Sequence, residues 1–597
     1  MAATQGITPK SLRWLFVLAL AQLCAAAAYA RQAAPAPQQS PAQRTGRSYD
    51  TAPPTRKTAP PAPQSPSPVV FADVTAQVGI NFKHNASPTS QKYLPETMGA
   101  GVALFDFDAD GRLDIFFTNG ALLTDPMPKG AAPDKREPRF WNRLYRQKPD
   151  GAFEDVTERA GLRGDGYSMG AAAADFDGDG RADLYVAAYG GAGRLYRNRG
   201  DGSFEDVTEK LKAQVPGWGT SAGWLDYDRD GRLDLYVARY MDWDFERGSL
   251  YCGSPRVRAY CHPDNFRGAP PALLRQKPDG TFEDVSARAR VADPEGKGLG
   301  VAFADFDDDG WTDIFQANDN ARQFLFRNRG DGTFEDVGLL AGVGYDENGK
   351  VFAGMGVDAA DYDNDGRADV FVTALSNETY PLFRNNGDMS FTYATGTTGV
   401  GPVTVPFSGW GARLADFDAD GLRDIFVAQG HVLDTIEKTT GYILYRQPPL
   451  LLRNNGKTFV NVSDSAGLRL PLAARGAAFG DIDNDGDADV VLAQTDGPAL
   501  VLRNSGAKNH WLGLTLAGAG MNRQGLGARV VVTDAAGARQ VFDVTGAGSY
   551  LSTNDTRLLV GLGGKGGVRT VEVRWPGGKV QTLNSPAVDS YHTVRQQ

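Results

Sequence analysis

The sequence predicts an all-β protein, a seven-bladed β-propeller followed by a small β-rich C-terminal domain. Two repeated features lead to this prediction. An acidic loop recurs seven times, and each copy is followed by the same series of short, strand-like segments. Glycine is also abundant, with 72 of 597 residues, as expected for a protein rich in turns. A repeat of this kind indicates a repeat architecture, and four strands in each of seven units are typical of a propeller.

Each repeat contains its segments in one order. A small-residue segment such as MGAAAADF (169–176) leads into the acidic loop, and the alternating run DLYVAA (183–188) follows it. RLYRNRGDG (194–202) and SFEDVT (203–208) complete the unit. We interpret these segments as four strands, A to D, joined by turns. Small residues suit strand A, because the innermost strands crowd around the ring axis.

The first strand D comes before the first acidic loop. FADVT (71–75) has the strand D pattern, whereas the last repeat ends at LVLRNSG (500–506) without one. We therefore expect residues 71–75 to supply the outer strand of the last blade. Closing the ring with both ends of the chain removes an open sheet edge.

The acidic loops follow the pattern D-x-D-x-D-G-x-x-D. Carboxylates stand at positions 1, 3, 5 and 9, a backbone carbonyl at position 7, and the glycine at position 6 permits a tight turn. Oxygen-only ligands with flexible geometry favour Ca²⁺ over Mg²⁺. An apolar β run follows position 9, whereas an EF-hand loop continues into a helix. The alternative, that Asp and Gly simply favour turns, is weakened by seven copies.

About seven calcium sites are therefore predicted, with a structural role and no catalytic one. Seven bound ions would move the formal charge from −10 to about +4. The predicted ligands are the aspartates at positions 1, 3, 5 and 9 of each loop: Asp106, Asp108, Asp110 and Asp114; Asp175, Asp177, Asp179 and Asp183; Asp226, Asp228, Asp230 and Asp234; Asp305, Asp307, Asp309 and Asp313; Asp361, Asp363, Asp365 and Asp369; Asp416, Asp418, Asp420 and Asp424; Asp481, Asp483, Asp485 and Asp489.

The N-terminus has the pattern of a secretory signal. Lys10 and Arg13 precede an apolar run of about 15 residues, and Ala28-Tyr29-Ala30 forms a cleavage site. A membrane anchor is the alternative, but the run is shorter than the ~20 residues that span a bilayer. We expect an exported protein, periplasmic or secreted, that is monomeric and has no membrane span once mature. The negative net charge argues against a nucleic-acid partner.

The remaining boundaries follow from composition. Residues 1–30 are the predicted signal peptide, and residues 31–68, rich in Pro, Ala, Gln and Ser, are a predicted disordered linker. The propeller is predicted for 69–507, the C-terminal β domain for 508–583 and a tail for 584–597. Cys252 and Cys261 are best interpreted as a disulfide in an oxidising compartment. A metal site that includes the adjacent His262 is the weaker alternative.

The motifs resemble known families. The repeats resemble FG-GAP/VCBS repeats, the calcium-loop blades that also occur in integrin α-subunit propellers. The segment NHWLGLTLAGAGMNRQGLGARVVV (509–532) and the residues after it resemble the ASPIC/UnbV domain. Together, over about residues 70–583, they resemble the bacterial relatives of cartilage acidic protein, a secreted calcium-binding glycoprotein. This resemblance implies that the loop aspartates bind calcium, and DMSFTYATG (388–396) departs from the strand D pattern in blade 5.

Long insertions mark the face opposite the acidic loops. They are the B–C connections 119–142, 241–272 and 430–449, joined on that face by the lead-in segment 84–99. Loops on a rigid scaffold commonly carry recognition. The alternative is that these loops only cap the ring. The candidate ligand-face residues are His84, Glu96, Trp141, Asp242, Trp243, Asp244, His262 and His431.

The function that we predict is a non-enzymatic, exported, calcium-binding module for a protein or glycan partner. The alternative is a propeller enzyme that acts on sugars, of the lyase or dehydratase type. In that case His84, Glu96, His262 and His431 would supply the acid–base groups.

Overall fold

Seven four-stranded antiparallel sheets form the main body of the chain, between residues 71 and 504. The computed structural model describes residues 44–49, 65–564 and 566–597. The inner strand of each sheet contacts the inner strand of the next, and the last contacts the first, so the sheets close a ring. The prediction of an all-β propeller fold is confirmed. We number the sheets as blades 1 to 7 and letter their strands A to D from the axis outward.

The blades share one meander topology, A to B to C to D. The strands of blades 1 to 4, in the order A to D, are Val102–Phe105, Asp114–Phe117, Arg143–Gln147 and Phe153–Asp155; Tyr167–Ala174, Asp183–Tyr189, Arg194–Asn198 and Phe204–Asp206; Gly219–Leu225, Asp234–Arg239, Ala272–Gln276 and Phe282–Asp284; Gly298–Ala304, Asp313–Ala321, Phe324–Asn328 and Phe334–Asp336. Those of blades 5 to 7 are Val357–Ala360, Asp369–Val372, Leu382–Gly387 and Ser390–Tyr393; Gly409–Ala415, Asp424–Gln429, Leu450–Asn454 and Phe459–Asn461; Ala474–Gly480, Asp489–Gln494, Leu500–Asn504 and Phe71–Asp73.

Both ends of the propeller segment contribute to ring closure. Phe71–Asp73 pairs antiparallel with Leu500–Asn504, with Phe71 opposite Asn504. The prediction that the first strand D completes the last blade is therefore confirmed. At the axis, the Gly476 N–H donates to the carbonyl of Ala100 at 2.9 Å and links blade 7 to the start of blade 1.

Close approach of neighbouring backbones explains the small residues of the inner strands. A Cβ atom on Gly356 would lie 1.9 Å from the carbonyl oxygen of Trp410, in the next blade. A Cβ atom on Gly476 would lie 2.4 Å from the carbonyl oxygen of Ala100. Only glycine fits at these two contacts, because real Cβ atoms do not approach backbone so closely. Larger apolar side chains lie between adjacent blades and form the core.

The C-terminal domain consists of two small sheets. Their strands, in sheet order, are Leu558–Gly563, His510–Ala517 and Tyr591–Arg595 in one sheet, and Arg539–Asp543, Arg529–Asp534, Val568–Arg574 and Val580–Asn584 in the other. Tyr591–Arg595 runs parallel to His510–Ala517. The domain therefore extends beyond residue 583, and residues 591–595 are part of it, not of a tail. Its core is continuous with that of blades 2 and 3.

One loop of the C-terminal domain, residues 544–557, enters the channel at the ring axis. We call it the plug loop. Its backbone amides at Gly548, Ser549 and Thr553 donate to inner-strand carbonyls of blades 4, 5 and 1. Tyr550 packs edge-on against Trp410 of blade 6, with ring centroids 4.9 Å apart. Further hydrogen bonds reach blades 2, 3 and 7. The plug loop thus contacts the inner strands of all seven blades.

In the part of the chain that the structure describes, helices are short and lie in connections. The α-helices are Pro95–Met98, Thr157–Ala160, Thr208–Leu211 and Val400–Thr404, and the 3-10 helices are Pro138–Phe140, Arg247–Ser249, Pro263–Asn265 and Ile436–Lys438. Two remaining strand elements are the hairpin Cys252–Ser254 with Val257–Ala259, and Phe352–Ala353, which pairs with strand B of blade 4. Across the described ranges, no helix is long and apolar enough to cross a membrane.

The N-terminal predictions are tested only in part. The predicted signal peptide and residues 31–43 and 50–64 of the predicted linker lie outside the described residues. The parts of the linker that are described make defined contacts. Ser65 N–H donates to the Asn461 carbonyl at 3.0 Å, and Gly46 N–H donates to the Tyr251 carbonyl at 3.0 Å. The propeller thus supplies partners for the backbone of these two short stretches, and the linker as a whole stays a prediction.

Candidate metal centres and the insertion face

Each acidic loop is the turn between strands A and B of its blade. In the first loop, the carboxylate of Asp106 accepts the backbone N–H groups of Asp110 at 3.0 Å and Gly111 at 2.8 Å. The bond from the position 6 glycine recurs in the other six loops. Position 1 therefore shapes the turn, and this fixes the direction of its carboxylate.

Carboxylates converge in threes within the loops. In at least five loops, three carboxylate oxygens from different aspartates lie within 4.8 Å of one another. The converging positions are 1, 3 and 9 in three loops and 1, 3 and 5 in two. The groups are Asp106, Asp108 and Asp114; Asp175, Asp177 and Asp183; Asp226, Asp228 and Asp230; Asp305, Asp307 and Asp313; and Asp361, Asp363 and Asp365. In the first loop, the position 5 carboxylate of Asp110 forms an ion pair with Arg112.

Position 9 is buried beneath the loop. One oxygen of Asp114 accepts the N–H of Phe107 at 3.0 Å, and the other accepts the N–H of Gln147, in strand C, at 2.8 Å. Burial raises the pKa of Asp114 to about 8, and it raises the pKa of Asp183 in the second loop to about 8. A divalent cation beside such a group would favour its ionised form.

The position 3 carboxylates supply the observation that tests whether a cation fits. In five loops one oxygen of this side chain is buried and has no hydrogen-bond partner among the described residues. These oxygens are Oδ1 of Asp108, Asp177, Asp228, Asp307 and Asp418. A buried carboxylate oxygen without a partner is costly, and a hard cation bound by oxygen atoms removes that cost. The donor set of these loops therefore fits calcium.

An arginine from strand C pairs with position 3 in every blade. Arg453, for example, lies 2.6 Å from Asp418, and Arg503 lies 3.0 Å from Asp483. The other pairs are Arg146–Asp108, Arg197–Asp177, Arg275–Asp228, Arg327–Asp307 and Arg384–Asp363. The arginine orients one carboxylate oxygen and leaves the other facing the loop. Sequence analysis assigned these arginines no role, although an Arg-Asn or Arg-Gln pair occurs in strand C of all seven repeats.

The amide side chain that follows each arginine joins neighbouring blades. Asn385 of blade 5 donates to the carbonyl of Phe306, at position 2 of the acidic loop in blade 4, at 2.8 Å. Gln147 of blade 1 donates in the same way to Ile482 of blade 7 at 3.0 Å. The remaining five blades repeat this bond. Each acidic loop is therefore bonded to the next blade around the whole ring.

The C-terminal domain lies on the acidic-loop face. The hydroxyl of Tyr591 donates to Oδ2 of Asp481, at position 1 of the seventh loop, at 2.8 Å. Arg557 donates to the Asp481 carbonyl at 2.7 Å, and Arg529 donates to the carbonyl of Gly366 in the fifth loop at 2.5 Å. The conformation of these loops is therefore coupled to the docking of the C-terminal domain on this face.

The insertions pack together on the opposite face. We call the four segments 84–99, 119–142, 241–272 and 430–449 the cap. Tyr93 contacts Phe245 with ring centroids 4.9 Å apart, and the Tyr93 hydroxyl accepts the N–H of Met127 at 3.2 Å. Thr97 donates to the carbonyl of Val432 at 2.7 Å. One apolar cluster includes all four segments together with Tyr550 of the plug loop, so the cap seals this end of the channel.

Four of the eight candidate ligand-face residues are buried in the cap. His84 and His431 are inaccessible, and each accepts a backbone N–H at Nδ1, from Asp496 and Leu433 respectively. Burial lowers the pKa of each of these histidines to about 3. Trp243 and Glu96 are also buried. These side chains pack inside the cap and do not form its surface, and a role for them in ligand binding stays a prediction.

Glu96 already has several hydrogen-bond donors. Its carboxylate accepts from the Thr89 hydroxyl at 2.5 Å, from the Tyr93 N–H at 3.0 Å and from the Tyr260 hydroxyl at 3.1 Å. Burial raises its pKa to about 7. Glu96 thus joins the lead-in segment to the blade 3 insertion. His84, Glu96, His262 and His431 each have separate partners, and these contacts do not assemble an acid–base pair.

The other four candidates reach the surface of the cap or its border. Asp242 is exposed, and together with Asp244 it forms ion pairs with Arg247. Trp141 is half-buried beneath the guanidinium of Arg163, which lies 4.2 Å from the ring centroid. His262 is half-buried next to the disulfide that joins Cys252 and Cys261, as predicted.

Both parts of the chain match known protein families. The family described as FG-GAP-like repeat matches residues 130–186, 175–237, 305–372 and 361–427, which all lie in the propeller. The family described as ASPIC and UnbV matches residues 518–597, which include the last strand of the C-terminal domain. The resemblance found from the motifs is confirmed for both.

Similar proteins include cartilage acidic protein 1 from two vertebrates. The human protein is 27% identical over 544 residues, which cover 86% of this chain and 73% of that protein. The Xenopus tropicalis protein is 26% identical over 550 residues, with 86% and 74% covered. Among solved structures, the BP39L lectin from Burkholderia pseudomallei is 12% identical with a TM-score of 0.38, and covers 68% of this chain and 95% of that one.

Proposed function

We propose that this chain, which carries FG-GAP-like repeats and an ASPIC and UnbV domain, is an exported calcium-binding propeller that binds a protein or glycan partner through its cap. The proposal includes all 28 loop aspartates as calcium ligands, about seven ions in total, and no catalytic step. The observation that carries it is the recurring position 3 carboxylate with one buried oxygen that lacks a partner among the described residues.

Calcium would act by fixing the loops on which the ring depends. Bound calcium supplies positive charge to the converging carboxylates. Other contacts of each loop come from the chain itself. The position 1 carboxylate forms the turn, and the position 9 carboxylate bonds to strand C. The side-chain amide of the next blade donates to the position 2 carbonyl. The proposal of a structural ion rests on this arrangement.

Recognition through the cap is supported by the division between the two faces. The C-terminal domain contacts the acidic loops, whereas the opposite face carries the three long insertions. Exposed apolar side chains on that face include Tyr442 and Leu444, which are 39% and 57% exposed. Export is supported by the N-terminal pattern and by the disulfide.

A pull-down from the native extracellular milieu in the presence of calcium tests this proposal. A cap variant combines Trp141→Ala, Asp242→Lys, Tyr442→Ala and Leu444→Ala. Its matched control carries Leu339→Ala and Leu340→Ala, at exposed positions outside the cap. We expect the native chain and the control to capture the same partner and the cap variant to lose it. Retention of every captured partner by a folded cap variant would contradict recognition through the cap.

A further inference from the structure

The N-terminal segment Gly46–Tyr49 lies in a groove of the cap. The carbonyl of Arg47 accepts the N–H of His262 at 3.2 Å and the side-chain amide of Asn265 at 2.8 Å. Ser48 accepts the N–H of Gly253, in the disulfide hairpin, at 2.5 Å. These bonds hold the segment against the blade 3 insertion.

Close contact at Gly46 shows how tightly the groove fits the backbone. A Cβ atom on Gly46 would lie 2.7 Å from the Sγ of Cys252 and 3.1 Å from the side-chain oxygen of Asn265. Glycine therefore fits this position, because a side chain would collide with Cys252 and Asn265. The Arg47 side chain points outward, where its guanidinium forms an ion pair with Asp264.

Tyr49 is half-buried in a chamber of the cap. Its ring lies 4.9 Å from the ring of His262 and packs against the apolar cluster of the cap. A remaining cavity of about 20 Å³ adjoins it and is lined by Leu375, His431, Leu433 and Ile436. The wall of the chamber thus comes from blades 5 and 6 as well as from the blade 3 insertion.

Carboxylates surround the chamber. Asp319 accepts the hydroxyl of Tyr240, and Glu378 accepts the N–H groups of Ala353 at 3.0 Å and Leu375 at 3.3 Å. Burial raises the pKa of Tyr49, and Asp319, Asp264 and Glu378 raise it further, whereas the guanidinium of Arg475 lowers it. A neutral phenol therefore suits this chamber better than a phosphate or sulfate group, which would meet three carboxylates and one guanidinium.

We propose that this chamber is a peptide-binding site that selects an arginine followed two residues later by a tyrosine, and that Gly46–Tyr49 fills it from within the same chain. Asp264 selects the arginine, and the aromatic and aliphatic wall selects the tyrosine. The inference rests on the proposed function, because it names the chemistry of the partner that the cap binds. A partner with such a segment gains access by displacing Gly46–Tyr49.

The competition has a definite expected size. A segment held by a short connection competes at an effective concentration in the millimolar range. With an effective concentration of about 1 mM and a Kd of about 0.1 mM for the segment, a free peptide should bind the native chain about tenfold more weakly than a variant whose own segment is disabled. Arg47→Ala with Tyr49→Ala disables it without altering the ring, since both residues lie outside the blades.

The probe is a fluorescent peptide with the sequence of residues 44–49, Arg-Thr-Gly-Arg-Ser-Tyr, and the readout is its polarisation. We expect it to bind the full exported chain that carries Arg47→Ala and Tyr49→Ala, and to bind the native chain about tenfold more weakly. A peptide with alanine in place of its tyrosine is the control and should not bind. Addition of Asp264→Ala to the double variant should also abolish binding.

Failure of the peptide to bind the double variant, or equal binding to both chains, would overturn the inference. A second measurement uses trypsin cleavage after Arg47, which requires the segment to leave the groove. Tyr49→Ala should speed this cleavage about tenfold or more, and an unchanged rate would also overturn the inference. If these measurements fail but the native chain still captures a partner through the cap, the inference is wrong and the proposed function stands. If the native chain captures no partner, the proposed function is contradicted.

Discussion

The bonds between neighbouring blades give a direct way to test what holds the ring together. Asn385 is buried in strand C of blade 5, and its amide donates to Phe306 O at 2.8 Å and to Ala368 O at 3.0 Å. Its side-chain oxygen accepts the N–H of Gly387 at 2.9 Å. Asn385→Ala removes all three bonds at once. The next residue, Asn386, is exposed, so Asn386→Ala is a matched control.

The size of the effect follows from the two carbonyl groups that lose their donor. Each belongs to a buried residue, and an unsatisfied buried acceptor costs about 1–3 kcal/mol. The N–H of Gly387 is only half-buried, so water replaces part of its bond. We expect Asn385→Ala to lower the free energy of unfolding by about 3 kcal/mol. Asn386→Ala should change it by less than about 0.5 kcal/mol.

Urea unfolding followed by circular dichroism, at about 1 mM calcium, measures this difference. The slope with urea should stay the same while the midpoint of Asn385→Ala falls. Asn385→Asp provides a further check, because a carboxylate accepts the Gly387 N–H but donates to neither carbonyl. Asn385→Asp should therefore lower the free energy of unfolding at least as much as Asn385→Ala. If Asn385→Ala and Asn386→Ala unfold at the same midpoint, the bonds between the blades do not stabilise the ring and the reasoning is refuted.

Three further outcomes are expected. Tyr550→Ala should lower the free energy of urea unfolding by about 4 kcal/mol because it opens a cavity in the channel. Tyr550→Phe should lower it by about 1 kcal/mol because it loses the hydrogen bond to Met98; equal losses would refute a packing role for the aromatic ring of Tyr550. Arg453→Met should lower the melting temperature more in a chelator than in calcium, since the arginine alone then offsets the charge of Asp418; equal shifts would count against this. Glu96, whose pKa is about 7 in the fold, holds a proton that the unfolded chain releases above about pH 4.5. The contribution of Glu96 to native stability should therefore fall between pH 4.5 and 7 by up to about 3 kcal/mol. Thermal melts of Glu96→Gln should show a smaller fall than the native chain over this range, and equal falls would contradict the raised pKa.

The repeat made much of the fold predictable. Because the acidic loop and the strand segments recur at fixed offsets, one repeat predicts the meander of every blade, and the displaced FADVT segment predicts closure by Phe71–Asp73. Small residues in strand A likewise predict crowding at the axis, as Gly476 shows. Blade 5 forms a strand D at Ser390–Tyr393 in spite of its divergent sequence, because the pairing needs only backbone groups.

Contacts between distant segments were not predictable. Nothing in the local pattern of residues 544–557 indicates that they enter the ring, because their partners are the inner strands of every blade. The ligand face was assigned from the long insertions, but burial of His84 and His431 depends on how four separate segments pack. The role of Arg453 was within reach, since an arginine at the same place in every repeat is a signal as regular as the aspartates.

The central claim is that calcium bound in the acidic loops stabilises the closed ring. The melting temperature of one preparation, measured in about 1 mM calcium and again in excess chelator, tests it most directly. A site with a Kd of about 0.1 mM contributes roughly 1.4 kcal/mol at that concentration, so about seven sites give a large decrease on chelation. A melting temperature that is the same in both conditions would contradict the claim.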